Sequence, residues 1–134
     1  MSSNLKRCAH ILTMHCIGTD IIEIGRIEKA VGRWGERFLH RVYTEPELRL
    51  SRKKPGSLAA RFAGKEAVMK ALGTGAKGIS WREIEIVAEP SGKPTVNLYG
   101  KAQDKAVCLG LDKLAISLSD SKEYAIAFVI GETR

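Results

Sequence analysis

At 134 residues, 44% of them hydrophobic, the chain can bury one ordinary core and is too short for two comfortable domains. Its 22 Lys and Arg against 15 Asp and Glu leave a net charge of +7, which points to an anionic partner: nucleic acid, a phosphorylated ligand or an acidic protein. The three cysteines, Cys8, Cys16 and Cys108, form no CxxC pair and are odd in number, which argues against a disulfide framework or zinc finger and for a reducing cytoplasm.

The N-terminus starts basic, but its apolar run is short and broken by His10, so it is a poor signal peptide and too short to span a membrane. Residues 1–13 are expected to form a disordered extension and 14–134 a single domain, with Met14 an alternative start. Cys8, His10, His15 and Cys16 follow no familiar metal-ligand spacing. Cys16 to Ile24 alternate like a strand, whereas Ile27, Val31, Trp34 and Phe38 repeat at helical spacing within Gly25 to Leu39. Thr44 is placed as an N-cap, with Pro46 in the first turn and Glu47 at the capping-box position of a short helix through Leu50. After the basic loop SRKKPGS, Pro55 and Ser57 open a long helix that ends at Gly73 or Gly75. Glu83 to Ala88 and Thr95 to Tyr99 read as strands flanking the PSGKP turn. Lys101 to Leu109 reads as a helix, and Lys113 to Ser119 and Tyr124 to Ile130 as a hairpin turning at DSKE.

Two carboxylates fall on apolar faces of this pattern. At about 100° per residue, Glu66 shares an arc of the long helix with Leu58, Ala59, Phe62 and Met69. In the first strand, the period-two face that carries Ile22 and Ile24 also carries Asp20. A buried charge costs several kcal/mol unless paired, so each acid needs Lys, Arg or a metal ion. Two such acids beside many basic residues favour a hard divalent cation such as Mg²⁺, which one or two carboxylates hold while substrate phosphates and water complete the shell. Arg61 with Lys65, and Glu66 with Lys70, are each four apart on the helix, which places basic side chains around the acid.

The run Gly73 to Gly78 spells GxGxxG, yet it follows a helix and precedes a strand, the reverse of a dinucleotide-binding fingerprint. The Gly73, Thr74 and Gly75 segment is therefore either a plain helix C-cap and turn or a turn whose amides also approach a phosphate.

Together, IGTDIIEIGRIE, RFAGKEAVMKALGTG, WREIEIVAEPSGKP and ISLSDSKEYAIAFVI resemble the holo-acyl-carrier-protein synthases, the small bacterial phosphopantetheinyl transferases, over nearly everything from Met14 onward. The resemblance implies Mg²⁺-dependent transfer of 4′-phosphopantetheine from coenzyme A to a serine of an apo acyl carrier protein, releasing 3′,5′-ADP, in support of fatty acid biosynthesis. Its metal carboxylates match Asp20 and Glu66. Because the nucleophile belongs to the carrier and the electrophile to coenzyme A, no catalytic triad is needed, and the enzyme mainly positions groups and offsets charge. Lys65, Lys70 and Arg61 then supply positive charge, Glu47 or a metal-bound water takes the serine proton, and Gly92, Lys93 and Pro94 neighbour the adenine end of the ligand. The chain departs from the resemblance at Ser119-Asp120, where many members carry histidine in the second position. An aspartate there cannot donate to a phosphate unless protonated.

Arg26, Ala30, Arg33 and Arg37 form a basic stripe beside the apolar stripe of the first helix, a docking face for an acidic carrier. The resemblance assigns the carrier to this helix and implies a homotrimer with coenzyme A sites between subunits. The expected architecture is α+β, the phosphopantetheinyl transferase fold, with a long helix packed on a mixed, largely antiparallel sheet. A carrier for polyketide or peptide synthesis is an alternative target. The rival reading as a nucleic-acid-binding module wants clustered aromatics for stacking, and Tyr43, Tyr99 and Tyr124 are scattered. We therefore expect neither a nucleic-acid nor a membrane partner.

Overall fold

The computed structural model describes residues 15–73 and 78–133; the expected extension over 1–13 lies outside them. In chain order the elements are β1 (His15–Glu23), α1 (Ile24–Trp34), α2 (Glu36–Val42), α3 (Glu45–Ser51), α4 (Pro55–Leu72), a 3-10 turn (Trp81–Glu83), β2 (Ile84–Ala88), β3 (Pro94–Leu98), α5 (Gly100–Cys108), β4 (Leu111–Asp120) and β5 (Tyr124–Thr133). The strands form a three-stranded sheet in the order β1-β5-β4 and a β2-β3 hairpin. Each ladder is antiparallel, so the mixed component expected of the sheet is not found among the described residues.

Helix α4 lies on the three-stranded sheet because both surfaces are lined with small side chains. From β5, Ala125, Ala127, Val129 and Gly131 face inward, and from α4, Ala59, Ala63 and Ala67 meet them fully buried. Pro55 starts α4 with its ring at a position that needs no N–H donor, and Gly73 closes it in the left-handed conformation at φ 78°. The Thr44–Glu47 capping box forms as the sequence indicates and fixes the start of α3.

The helix expected over Gly25 to Leu39 is two helices. Gly35, at φ 57° and ψ −133°, breaks the run between Trp34 and Glu36. Apolar spacing continues across the break, which is why periodicity alone joins the two.

Among the described glycines, the tightest surroundings are those of Gly18 in β1. A Cβ there would overlap the carbonyl oxygen of Ala67 and lie 2.8 Å from the amide nitrogen of Ala71, both backbone atoms of α4. Backbone that is itself hydrogen-bonded in a helix cannot give way as a flexible side chain would. Gly18→Ala is therefore expected to destabilise the protein by about 2–3 kcal/mol in urea unfolding, as over-packing at rigid sites does. A loss below about 0.5 kcal/mol, the range of ordinary surface substitutions, would show that the contact relaxes freely.

Candidate active site

The strand–helix contact at Gly18 sets the position of Asp20, two residues further along the same face of β1. Its carboxylate is half-buried and accepts from Lys70 Nζ at 3.1 Å, and the same ammonium donates to the Thr19 carbonyl at 2.9 Å. Glu66, one helical turn before Lys70 on α4, completes the group. Burial, followed by the negative charge of Asp20, pushes the Glu66 carboxyl above the usual carboxylate range, while Lys70 pulls it back. Two carboxylates that repel each other and share one exposed lysine make an under-neutralised acidic site. Among the described residues there is no cluster of three or more His, Cys, Asp or Glu side chains.

A second feature lies at the other end of α4. Lys54, Gly56, Ser57, Ala60 and Arg61 line one side of a cavity of about 560 Å³, with Gly92, Pro94, Leu118 and Asp120 among the residues opposite. Arg61 is anchored here: its Nε donates to the Ile86 carbonyl at 3.0 Å and its Nη1 to Ser57 Oγ at 2.5 Å. Gly92 turns the β2–β3 connection at φ 94°, a conformation that other residues rarely adopt. Arg61, Gly92 and Pro94, chosen separately in the sequence, thus share one cavity.

A third feature is a groove of about 420 Å³ lined by Trp34, Arg37, Phe38, Arg41, Val42, Phe62 and Trp81. Phe62 stacks on Trp81 with centroids 4.7 Å apart, and the Arg33 guanidinium lies over the exposed Trp34 ring at 5.0 Å.

Residues 16–129 match the family model ACPS, 4′-phosphopantetheinyl transferase superfamily. The holo-[acyl-carrier-protein] synthase of Dehalococcoides mccartyi is 54% identical over 115 residues, covering 86% of this chain and 96% of that protein. The Herpetosiphon aurantiacus enzyme of the same name is 51% identical over 121 residues, 85% of this chain and 95% of that one. The crystal structure of the Helicobacter pylori holo-[acyl-carrier-protein] synthase with coenzyme A superposes with a TM-score of 0.79 at 37% identity, over 86% of this chain and 98% of that one.

The chain belongs to the 4′-phosphopantetheinyl transferase superfamily. It is an enzyme of the holo-acyl-carrier-protein synthase type, and the defining reaction is transfer of phosphopantetheine from coenzyme A to an apo acyl carrier protein.

Within this transferase, two residues expected at the ligand turn inward. Lys65, not Glu66, is the fully buried charge of α4; both it and Glu47 have no exposed side-chain surface. Lys65 Nζ donates to Glu47 Oε1 at 2.8 Å, to the Trp81 carbonyl at 3.1 Å and to the Ile84 carbonyl, which uses all three of its hydrogens. Glu47 also accepts from the amides of Thr44 at 2.8 Å and Ile86 at 2.7 Å. Both side chains are thus enclosed and bonded within the protein. The structure brings neither Glu47, expected as base, nor Lys65, expected as a ligand contact, into the lining of the Arg61 cavity; it sets them together as a buried pair. Burial draws the Lys65 ammonium below the usual lysine range, with the Glu47 charge opposing it. A helix face was expected to separate core from solvent, but α4 is buried on most sides, so a narrow arc could not identify which charge was enclosed.

Gly73 stands where expected, as the C-cap, while Thr74 and Gly75 lie outside the described residues. Arg26, Arg33 and Arg37 are all exposed, but Gly35 puts Arg37 on α2, so the three do not form one helical stripe. The sequence reading overlooked Lys54 and Ser57 in the cavity, and Phe62 and Trp81 in the groove. A basic residue immediately before Pro55 gave some signal for Lys54; nothing local gave Trp81.

Breaking one side of the Lys65–Glu47 pair leaves a buried charge unpaired. Lys65→Met is expected to cost about 3–5 kcal/mol in urea unfolding. Glu47→Gln is expected to lower stability while the surviving folded fraction keeps kcat; a stable variant with kcat reduced a hundredfold or more, the scale of a lost general base, would restore Glu47 to catalysis.

Proposed function

We propose that phosphopantetheinyl transfer in this chain is carried by Asp20, Glu66 and Lys70, with coenzyme A extending from them to the cavity of Arg61, Gly92 and Pro94. The observation that carries this reading is the convergence of two mutually repelling carboxylates beside one lysine. The donor set fits a hard cation, since Asp20 and Glu66 are both oxygen ligands and their excess negative charge lacks full compensation. Mg²⁺ held by them supplies positive charge to the phosphate oxygens of the substrate.

The chain's own residues supply the rest. Lys70 spends two of its three hydrogens on Thr19 and Asp20 and has one left for a pyrophosphate oxygen. Arg61 is fixed through Nε and Nη1, so its Nη2 is held ready for a phosphate in the cavity. Gly73 caps α4 in the left-handed conformation, and Gly73, Thr74 and Gly75 are kept as ligand contacts on the sequence reading of a phosphate-approaching turn. In the transfer, the carrier serine oxygen bonds to the phosphorus that bears pantetheine as its proton passes to water, and the bond from that phosphorus to the oxygen of 3′,5′-ADP breaks with its electron pair leaving on that oxygen. Fixed positive charge around the departing diphosphate lowers the barrier without a covalent enzyme intermediate.

An acidic carrier is placed on Arg26, Arg33 and Arg37, beside the aromatic groove that ends at Phe62 and Trp81. Charge steers the encounter, and the groove offers apolar area at its centre. The family's homotrimer accords with the outer face of the three-stranded sheet, where Ile17, Ile21, Ile126, Phe128 and Ile130 are each at least 40% exposed. One domain over 14–134 in a reducing cytoplasm accords with the unpaired Cys16 and Cys108. Among the described residues no helix is long and apolar enough to cross a membrane.

Asp20→Ala and Glu66→Ala are each expected to abolish transfer while circular dichroism stays native. Intact-mass spectrometry of apo acyl carrier protein incubated with enzyme, coenzyme A and Mg²⁺ reads the product directly, and EDTA is expected to remove it. Full activity in either variant would overturn the metal assignment. Arg33→Glu is expected to raise the carrier KM about tenfold at low salt, with coenzyme A affinity unchanged, because a rim charge acts through association. Equal losses for both substrates would remove Arg33 from docking.

A further inference from the structure

The cavity that holds Arg61, Gly92 and Pro94 contains one acidic residue among those lining it, Asp120. It stands at the last position of β4, paired with Ala125 across the ladder, and the Ser121 amide closes the following turn onto the Tyr124 carbonyl at 2.8 Å. The strand therefore fixes where the carboxylate can reach. It reaches the first turn of α4: Asp120 Oδ2 lies 3.0 Å from the point a Cβ on Gly56 would occupy. That turn has no acidic residue and no side-chain cap of its own, and Lys54 stands at its N-cap. Free amides of a helix start, Lys54 and Arg61 together make a site of positive potential, and Asp120 places a negative charge inside it.

We propose that Asp120 is a resident counter-charge that weakens the cavity's hold on the anionic nucleotide and so speeds departure of 3′,5′-ADP after transfer. The proposal rests on the reading that this cavity receives the nucleotide end of coenzyme A. A site with only cations would hold the product as firmly as the substrate, and product release often limits turnover. A carboxylate beside the same phosphates loosens both.

The test is calorimetric binding of 3′,5′-ADP and of coenzyme A to the wild-type protein and to Asp120→Asn. The neutral amide is expected to tighten both about five- to tenfold at low salt, the size of one like-charge contact near a surface. The gain is expected to shrink as screening rises toward about 0.5 M salt. In steady state, Asp120→Asn is expected to show a lower KM for coenzyme A and stronger inhibition by added 3′,5′-ADP. Unchanged or weaker binding in the variant would overturn the inference and leave Asp120 as a tertiary cap of α4, read as a lower Tm alone. Asp120→Ser, which is smaller, gives the same reading if the amide disturbs the turn. Wild-type protein that bound neither ligand would sink the cavity assignment itself, whereas wild-type binding without tightening in the variants sinks only the role of Asp120.

Discussion

The candidate active site depends on a contact that involves no reactive group. Asp20 belongs to a strand and Glu66 to a helix, and the two meet only because β1 lies against α4 with backbone touching backbone at Gly18. Any side chain there would lift the strand away from the helix. The carboxylate at Asp20 would move with it, since two residues of strand are a rigid spacer of about 7 Å. The small inward residues of β5, Ala125 and Ala127, and of α4, Ala63 and Ala67, serve the same approach from the adjoining strand. Layer spacing is thus set by residues without chemistry, and the spacing decides whether the chemistry is assembled.

The second constraint is electrostatic and lies deeper. Lys65 fastens α4 to the carbonyls of Trp81 and Ile84, Glu47 fastens α3 to the Ile86 amide, and Arg61 adds a further link to the Ile86 carbonyl. These bonds tie the β2–β3 hairpin, and with it Gly92 and Pro94, to the helix that bears Arg61. A hydrophobic contact of the same area would hold the hairpin near α4 without fixing its register, because burial is not directional. Hydrogen bonds from one enclosed ammonium to defined carbonyls do fix it. Every donor hydrogen of Lys65 is used, so the buried charge is not left uncompensated.

The architecture was legible where the pattern is local. The capping box at Thr44, the alternation of β5 and the glycine end of α4 each announce themselves within a few residues. The carboxylates Asp20 and Glu66 stood out as candidates for another reason, because charge on an apolar face is conspicuous in any period. Lys65 was misread, since α4 is enclosed on most of its circumference and its alanines blur the boundary between faces. The basic stripe was misread at Arg37, since helical spacing runs on through Gly35 although the backbone does not. Arg61 with Asp120, or Phe62 with Trp81, come together only through tertiary packing, and no window of a single element contains either pair.

Charge is distributed by depth, and the depth matches the task. Fully buried Lys65 and Glu47 neutralise each other and hold geometry. Half-buried Asp20 and Glu66 repel each other with Lys70 beside them, and that imbalance is what the proposed cation would offset. Exposed Arg26 and Arg33 are the residues proposed to meet an acidic carrier, an interaction that salt would screen. The net charge of +7 concealed this order, because it sums residues with three different duties. A protein that supplies neither the nucleophile nor the leaving group works through the placement of charge. Here that placement is fixed by one glycine contact and one enclosed lysine.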